Sequence, residues 1–265
     1  MIKFGPAGIG GIKEIPFVLN KYKELGIKAA EIPFTYQIWI KNKNLGRKIK
    51  NLSKKAGVEL SIHAPYWINL NSKNKKIIEK SKKRILKCCE VASWLNAKKV
   101  VFHCGYYSKG ENSEKNQKTF QNIKKAIIEM QEIIKKNKWN VELCPEIIGK
   151  KSVFGSIEEI SRLVKETKCG FCIDLAHVLA RYKSYKMDLL EKMFPQKKWH
   201  CHFSGIEYDN KGEKRHIKTP VKEIKKILKL LPKNKDITII NESPAPVKDS
   251  ILSIKLYKSS LKNFK

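Results

Sequence analysis

The strongest constraint on this chain is an alternation. Short apolar runs bounded by turn residues recur about every thirty residues, at 2–8, 29–34, 60–66, 99–105, 141–147, 170–175, 199–205 and 237–243. Runs of this length, rich in β-branched and aromatic residues, read as buried strands. Between them, over 12–25, 45–56, 75–95, 120–136, 157–167, 187–193, 221–231 and 248–260, apolar residues repeat at helical spacing. Strands connected through helices run parallel, because the crossover returns the chain to the same end of the sheet. Eight such units in 265 residues have the count and size of a closed α/β (β/α)8 TIM barrel, a single domain over 1–265. An open doubly wound sheet is the competing architecture.

Composition excludes several classes. With 42% hydrophobic residues the chain can bury one sizeable core, which rules out intrinsic disorder despite a net charge of +31. No run approaches the ~20 apolar residues of a membrane span. The opening Met-Ile-Lys-Phe-Gly-Pro has no signal-peptide hydrophobic region, so a cytoplasmic protein without a membrane partner is expected. Seven cysteines, an odd number lying largely in apolar runs, argue against a disulfide framework. In Cys169-Gly-Phe-Cys172 the second thiol begins a strand, which favours packing over redox chemistry. The glycines of Gly5-Pro-Ala-Gly8-Ile-Gly10-Gly11 lack the Lys-Ser/Thr of a phosphate loop and read as a turn.

Fifty-one of the 56 basic residues are lysines, spread over nearly every helical segment. Coding bias or solvated helix faces account for such a pattern as readily as a partner does. A polyanion would nonetheless be attracted, with affinity falling by a log–log salt slope of about −0.9 per neutralised phosphate.

Five of the six histidines fall inside or just past the C-terminal ends of predicted strands, with three acidic residues among them. His63 closes Ser-Ile-His-Ala-Pro-Tyr, His103 follows Val-Val-Phe, and Glu146 lies in Glu-Leu-Cys-Pro-Glu-Ile-Ile-Gly. Asp174 and His177 follow in Ile-Asp-Leu-Ala-His, His202 in His-Cys-His-Phe-Ser-Gly, Glu242 in Ile-Ile-Asn-Glu-Ser-Pro, and His216 in a later loop. A barrel directs all its strand ends into one mouth, where such folds build their sites. Converging imidazoles and carboxylates suit zinc or manganese, whereas the cysteines lack thiolate-site spacing. Glu142 and His200 are expected deeper in the barrel as supporting residues. A lone strand-end histidine is commonly a hydrogen-bonded structural residue; the inference rests on the whole set.

In this order the elements Ser-Ile-His-Ala-Pro-Tyr, Phe-His-x-Gly, Glu-x-x-Gly, Ile-Asp-x-x-His, His-x-Ser-Gly and Arg-His resemble the endonuclease IV family of apurinic/apyrimidinic DNA repair enzymes. The resemblance runs from the second strand to the eighth. It implies a zinc-dependent hydrolase that cuts double-stranded DNA 5′ to an abasic site, leaves a 3′-hydroxyl, and acts as a monomer. His63, His103 and Glu146 would hold one zinc. Glu146, the central catalytic residue, would bridge to a second held by Asp174, His202 and Glu242, and His177 with His216 would serve a third. The family's aspartate two residues before the last histidine is Lys214 here. Glu213 or water then supplies the missing oxygen, or the third metal binds weakly, or Lys214 itself neutralises phosphate. The proline usual after the strand-four histidine is Cys104.

For DNA contact the resemblance points to Tyr66 and Trp67 beside His63, which rim packing would equally employ, and to Gln37 and Trp39 after strand two. Lys150, Lys151 and Arg181 follow ligand-bearing strands and are candidate phosphate contacts. Two rivals stand beside this reading. A single-metal sugar isomerase or epimerase needs only Glu146, Asp174, His202 and Glu242, and leaves the other histidines and the charge unexplained. A non-catalytic nucleic-acid binder on a decayed barrel leaves the metal-ligand set unexplained.

Overall fold

The computed structural model describes residues 1–262. Its strands are β1 (Ile2–Pro6), β2 (Ala29–Pro33), β3 (Glu59–His63), β4 (Lys99–Phe102), β5 (Glu142–Pro145), β6 (Ile173–Asp174), β7 (Lys198–Phe203), β8 (Gly205–Asp209), β9 (Gly212–Ile217) and β10 (Asp236–Asn241). Two parallel ladders, β1-β10-β7-β6 and β2-β3-β4-β5, make up the wall. They meet at two seams, the parallel bridges Ala7–Glu31 and Glu146–Cys172. Backbone hydrogen bonds zip both seams, Gly8 N–H to Glu31 O at 2.7 Å and Ile147 N–H to Cys172 O at 3.1 Å. The wall is therefore a closed eight-stranded barrel, and the open sheet is excluded.

Helices α1 (Ile15–Glu24), α2 (Lys43–Ala56), α3 (Lys75–Leu95), α4 (Gln117–Lys136), α5 (Ile157–Thr167), α6 (Leu175–Tyr182), α7 (Met187–Met193), α8 (Val221–Leu230) and α9 (Pro246–Lys262) complete the chain. Local chemistry sets several of their ends. Asn42 accepts from Leu45 N–H to start α2, and Gly57 ends it in the left-handed conformation. A reciprocal Ser156–Glu159 capping box starts α5. No helix among the described residues is long and apolar enough to cross a membrane.

Alternation along each strand sorts the side chains. Ala30, Ile32, Ile62, Val100, Phe102, Leu143, Cys201, Phe203, Ile237 and Ile239 join the large apolar core. Their in-register neighbours face the barrel interior, where Val101, Cys144 and Cys172 form a small separate cluster. All seven cysteines are buried and unbridged.

At the first seam the missing side chain of Gly5 lets β1 lie against Ala29; a Cβ there would collide with the Ala29 carbonyl. Gly5→Ala should destabilise the protein by about 3 kcal/mol or prevent closure, since overpacking against backbone cannot relax by a rotamer change. A denaturation midpoint equal to wild type would contradict this account of the seam.

Three elements differ from the sequence reading. After strand six Asp174 caps a helix that the periodicity does not mark, its Oδ1 accepting from His177 N–H at 2.8 Å. His216 was expected on a loop and lies on β9 of the β8–β9 hairpin. The strand-six run at 170–175 contracts to two ladder residues.

Candidate metal centre

Residues at the strand ends converge as the alternation requires: Ser61 and His63, Val101 and His103, Cys144 and Glu146, Cys172 and Asp174, His200 and His202 lie two apart on their strands. Besides a deeper Cys172–His200–His202 cluster, three groups with closely spaced ligand atoms result at the mouth. They are His63–His103–Glu146, Glu146–Asp174–His202–Glu242, and Asp174–His177–His216. Glu146 and Asp174 each belong to two of them. Nε2 of both His63 and His103 lies 3.1 Å from Glu146 Oε2, while His202 Nδ1 lies 3.4 Å from Glu146 Oε1 and 3.3 Å from Glu242 Oε1.

Whether a cation fits is decided by where the protons sit. His63 Nδ1 lies 2.7 Å from Ala64 O, and His177 Nδ1 lies 3.0 Å from Ile147 O. A carbonyl only accepts, so these nitrogens carry hydrogens, and it is Nε2 of each ring that is left for a cation or for a second proton. Glu146 Oε1, Asp174 Oδ2 and His202 Nδ1 are buried without a hydrogen-bond partner. Buried acceptors left so cost about 1–3 kcal/mol each. A divalent cation satisfies several at once, and imidazole nitrogens with carboxylate oxygens are a donor set that zinc accepts.

Glu31 was missed by the sequence reading and lies at the centre of the barrel. Fully buried on β2, it accepts from Ser61 Oγ at 2.7 Å, lies 3.0 Å from His200 Nε2 and 2.8 Å from His202 Nε2. It thus holds the His202 ring from behind, with Nδ1 turned toward Glu146 and Glu242. The available signal was a lone carboxylate inside Ala-Ala-Glu-Ile-Pro-Phe, since an unpaired charge is costly in a strand buried on both faces. His200 lies deep in the interior as expected. Glu142 does not: it is exposed and paired with Lys99 at 2.7 Å.

In the metal-free protein this carboxylate surplus draws protons onto the imidazoles. Burial opposes the charge of His63, but Glu146 outweighs it and holds the ring up at about 9. Burial likewise opposes His177, and Asp174 with Glu146 and Glu213 raises it to about 10. Conversely, burial pushes the Glu146 carboxyl up, yet His103 and His202 bring it well below the usual carboxylate range. For both histidines the folded value exceeds the unfolded ~6.5. Their stabilisation is then complete below about pH 6.5 and is lost as pH rises through the folded values. The metal-free protein should melt at a lower temperature at pH 9 than at pH 6.5, and zinc should reverse that slope, because the metal needs deprotonated ligands. A metal-free melting temperature that rises over this range would refute the charge balance.

The expected DNA-contacting residues separate into two sets. Tyr66, Trp67, Gln37, Lys150, Lys151 and Lys214 are exposed, and the Tyr66 ring packs 5.6 Å from His63 and 5.5 Å from His103. Trp39 instead packs edge-on against Phe34. Arg181 corrects the expectation of a phosphate contact. It is buried, and its guanidinium donates to Ile148 O, Lys150 O, Val153 O and Tyr107 Oη, bracing the loop after β5.

Residues 19–259 match the family of xylose isomerase-like TIM barrels, and the chain belongs to that family. Its sequence likeness extends to the endonuclease IV-like members: probable endonuclease 4 of Mycobacterium leprae is 28% identical over 134 residues, 51% of each chain. The Methanocaldococcus jannaschii protein MJ0133 is 33% identical, covering 97% of both chains. Endonuclease IV from Thermus thermophilus superposes with a TM-score of 0.71 at 18% identity, over 98% of this chain and 99% of that one. A D-tagatose 3-epimerase-like protein superposes with a TM-score of 0.70 at 21% identity, over 98% and 97%. At such identities the superpositions speak to the fold, which hydrolases and epimerases share.

Proposed function

We propose that this chain is a divalent-metal-dependent endonuclease, zinc being the metal its donors favour, that hydrolyses the DNA backbone 5′ to abasic sites and leaves a 3′-hydroxyl. One observation carries the reading. Beyond the four residues that a single-metal sugar enzyme needs, two further histidine-containing groups flank Glu146 and Asp174. The partial likeness to probable endonuclease 4 supports it, as does the net charge of +31, which suits a polyanion.

When bound, paired divalent ions lower the pKa of a water and neutralise phosphate charge. The chain's own residues do the rest. Glu146, with two oxygens toward different histidine groups, sets the spacing of the centre. Glu31 fixes the His202 ring. Tyr66 and Trp67, exposed beside the His63 strand end, offer faces for bases next to an extruded sugar. Lys150 and Lys151, exposed on the loop after β5, supply positive charge near the phosphates.

The Glu146–Asp174–His202–Glu242 group alone favours a second reading, a single-metal epimerase acting on a ketose. Incision of a labelled duplex carrying one abasic site, with metal counted on the same preparation, separates the two. Cleavage 5′ to the lesion that chelator abolishes and zinc restores is the expected result. Absence of incision by the fully loaded protein, with turnover of a ketose, would replace the first reading by the second.

A further inference from the structure

The family pattern puts an aspartate where this chain has Lys214, and the β8–β9 hairpin shows how that change is accommodated. Its register runs Ile206–His216 and Glu207–Arg215, then jumps to Tyr208–Glu213, so Lys214 is an extra residue on β9. Such a bulge breaks the strict in-out alternation of a strand and re-aims its side chains. Lys214 turns to solvent, its side chain 60% exposed and Nζ 3.4 Å from Asp209 Oδ2. Glu213 turns inward, only 16% exposed, with Oε2 3.3 Å from His177 Nε2.

The opposing loop leaves room for it. A Cβ on Gly149 would lie 2.7 Å from Glu213 Cβ and 3.1 Å from Glu213 Oε2, so any larger residue there would push the carboxylate out.

Proton placement then shows what the three groups share. His216 Nδ1 lies 2.8 Å from Ser204 Oγ, and Ser204 spends its own hydrogen on Gly205 O at 2.9 Å. His216 Nδ1 is therefore the donor and its Nε2 the lone pair. His177 Nδ1 is committed to Ile147 O in the same way. The two Nε2 atoms face each other at 3.2 Å, and the Glu213 carboxylate lies 3.3 Å from Nε2 of His177. Once the proton held between His177 and Glu213 is displaced, both Nε2 atoms and the carboxylate are acceptors open to a cation. Asp174, whose Oδ2 has no hydrogen-bond partner, completes the surroundings.

We propose that Glu213, not Lys214, supplies the oxygen ligand of a third divalent-cation site with His177 and His216, so that a one-residue bulge restores the ligand the sequence lacks. The inference rests on the metal-centre reading above and concerns only how many ions the chain holds and through which residues. Lys214 is then a rim residue with no part in coordination.

The test is metal stoichiometry, independent of any DNA substrate. Purified chain is stripped, reloaded with zinc, desalted and counted by plasma mass spectrometry beside its variants. Wild type and Lys214→Ala should each retain three equivalents. Glu213→Ala should retain two, its third-site affinity reduced more than ~100-fold, beyond the loss typical of an outer-shell change. Gly149→Val, which crowds both the Glu213 carboxylate and the His177 ring, should also retain two. The two remaining equivalents report an intact barrel, and Glu213→Gln repeats the test with a side chain of the same shape. An unchanged count in Glu213→Ala, as a protonated His177 paired with Glu213 would give, overturns the proposal. So does a wild-type count of two. A wild-type count of zero or one sinks the metal centre itself, whereas three equivalents without incision of abasic DNA sinks only the proposed function.

Discussion

Glu146→Gln should reduce incision of abasic DNA by about three orders of magnitude or more while leaving duplex binding close to wild type. The two oxygens of Glu146 face different histidines at the mouth, Oε2 toward His63 and His103 and Oε1 toward His177 and His202. An amide keeps the shape, removes the negative charge, and turns one of those acceptors into a donor aimed at lone pairs. Metal chemistry supplies several kcal/mol of transition-state stabilisation, and each 1.36 kcal/mol is a factor of ten, so losing ~4 kcal/mol gives about 10³. The exposed rim that would meet DNA is untouched, which is why binding and turnover should separate. Single-turnover incision and a salt-titrated binding assay on the same variant decide the matter. Turnover within tenfold of wild type would exclude Glu146 as the shared ligand.

Glu31→Ala should have the largest effect on stability of any change inside the barrel. Its carboxylate is the common partner of Ser61, His200 and His202 at 2.7, 3.0 and 2.8 Å, and all four residues are buried. Burial disfavours the Glu31 charge, but His202 and His200 more than compensate and hold its carboxyl well below the ordinary range. Removing one partner of a buried charged cluster costs about 3–5 kcal/mol, because the others cannot find water. The same change frees the His202 ring to rotate, and loss of such a support lowers metal affinity about 10–100-fold. Glu31→Gln should recover part of the stability and little of the zinc affinity. Denaturant unfolding of the metal-free protein and zinc competition on the folded one measure the two effects separately. A loss under 1 kcal/mol with unchanged zinc affinity would reduce Glu31 to packing.

Both predictions turn on residues the sequence displayed unequally. Glu146 stood out because it closes a strand in a recognisable element. Glu31 stood inside an apolar run, visible as an anomaly, but its partners lie thirty residues away at Ser61 and far beyond that at His200 and His202. Arg181 was misjudged for a related reason. Its place after a ligand-bearing strand suggested phosphate, whereas α6 buries it against three carbonyls.

The sequence alone determined the alternation, the parallel wall and the convergence of His63, His103, Glu146, Asp174, His202 and Glu242, because period two and period 3.6 are local properties. A strand end in a closed barrel has only one mouth to face. What tertiary structure decided is everything that depends on register between segments remote in the chain: the seam at Gly5 and Ala29, the Glu31 cluster, and the inward turn of Glu213. In the hairpin, Lys214 follows Glu213, and residue type alone cannot say which of two adjacent side chains points inward. One skipped pairing opposite Glu207 and Tyr208, with a glycine at 149 to receive it, brings the carboxylate to His177 and sends the lysine to water.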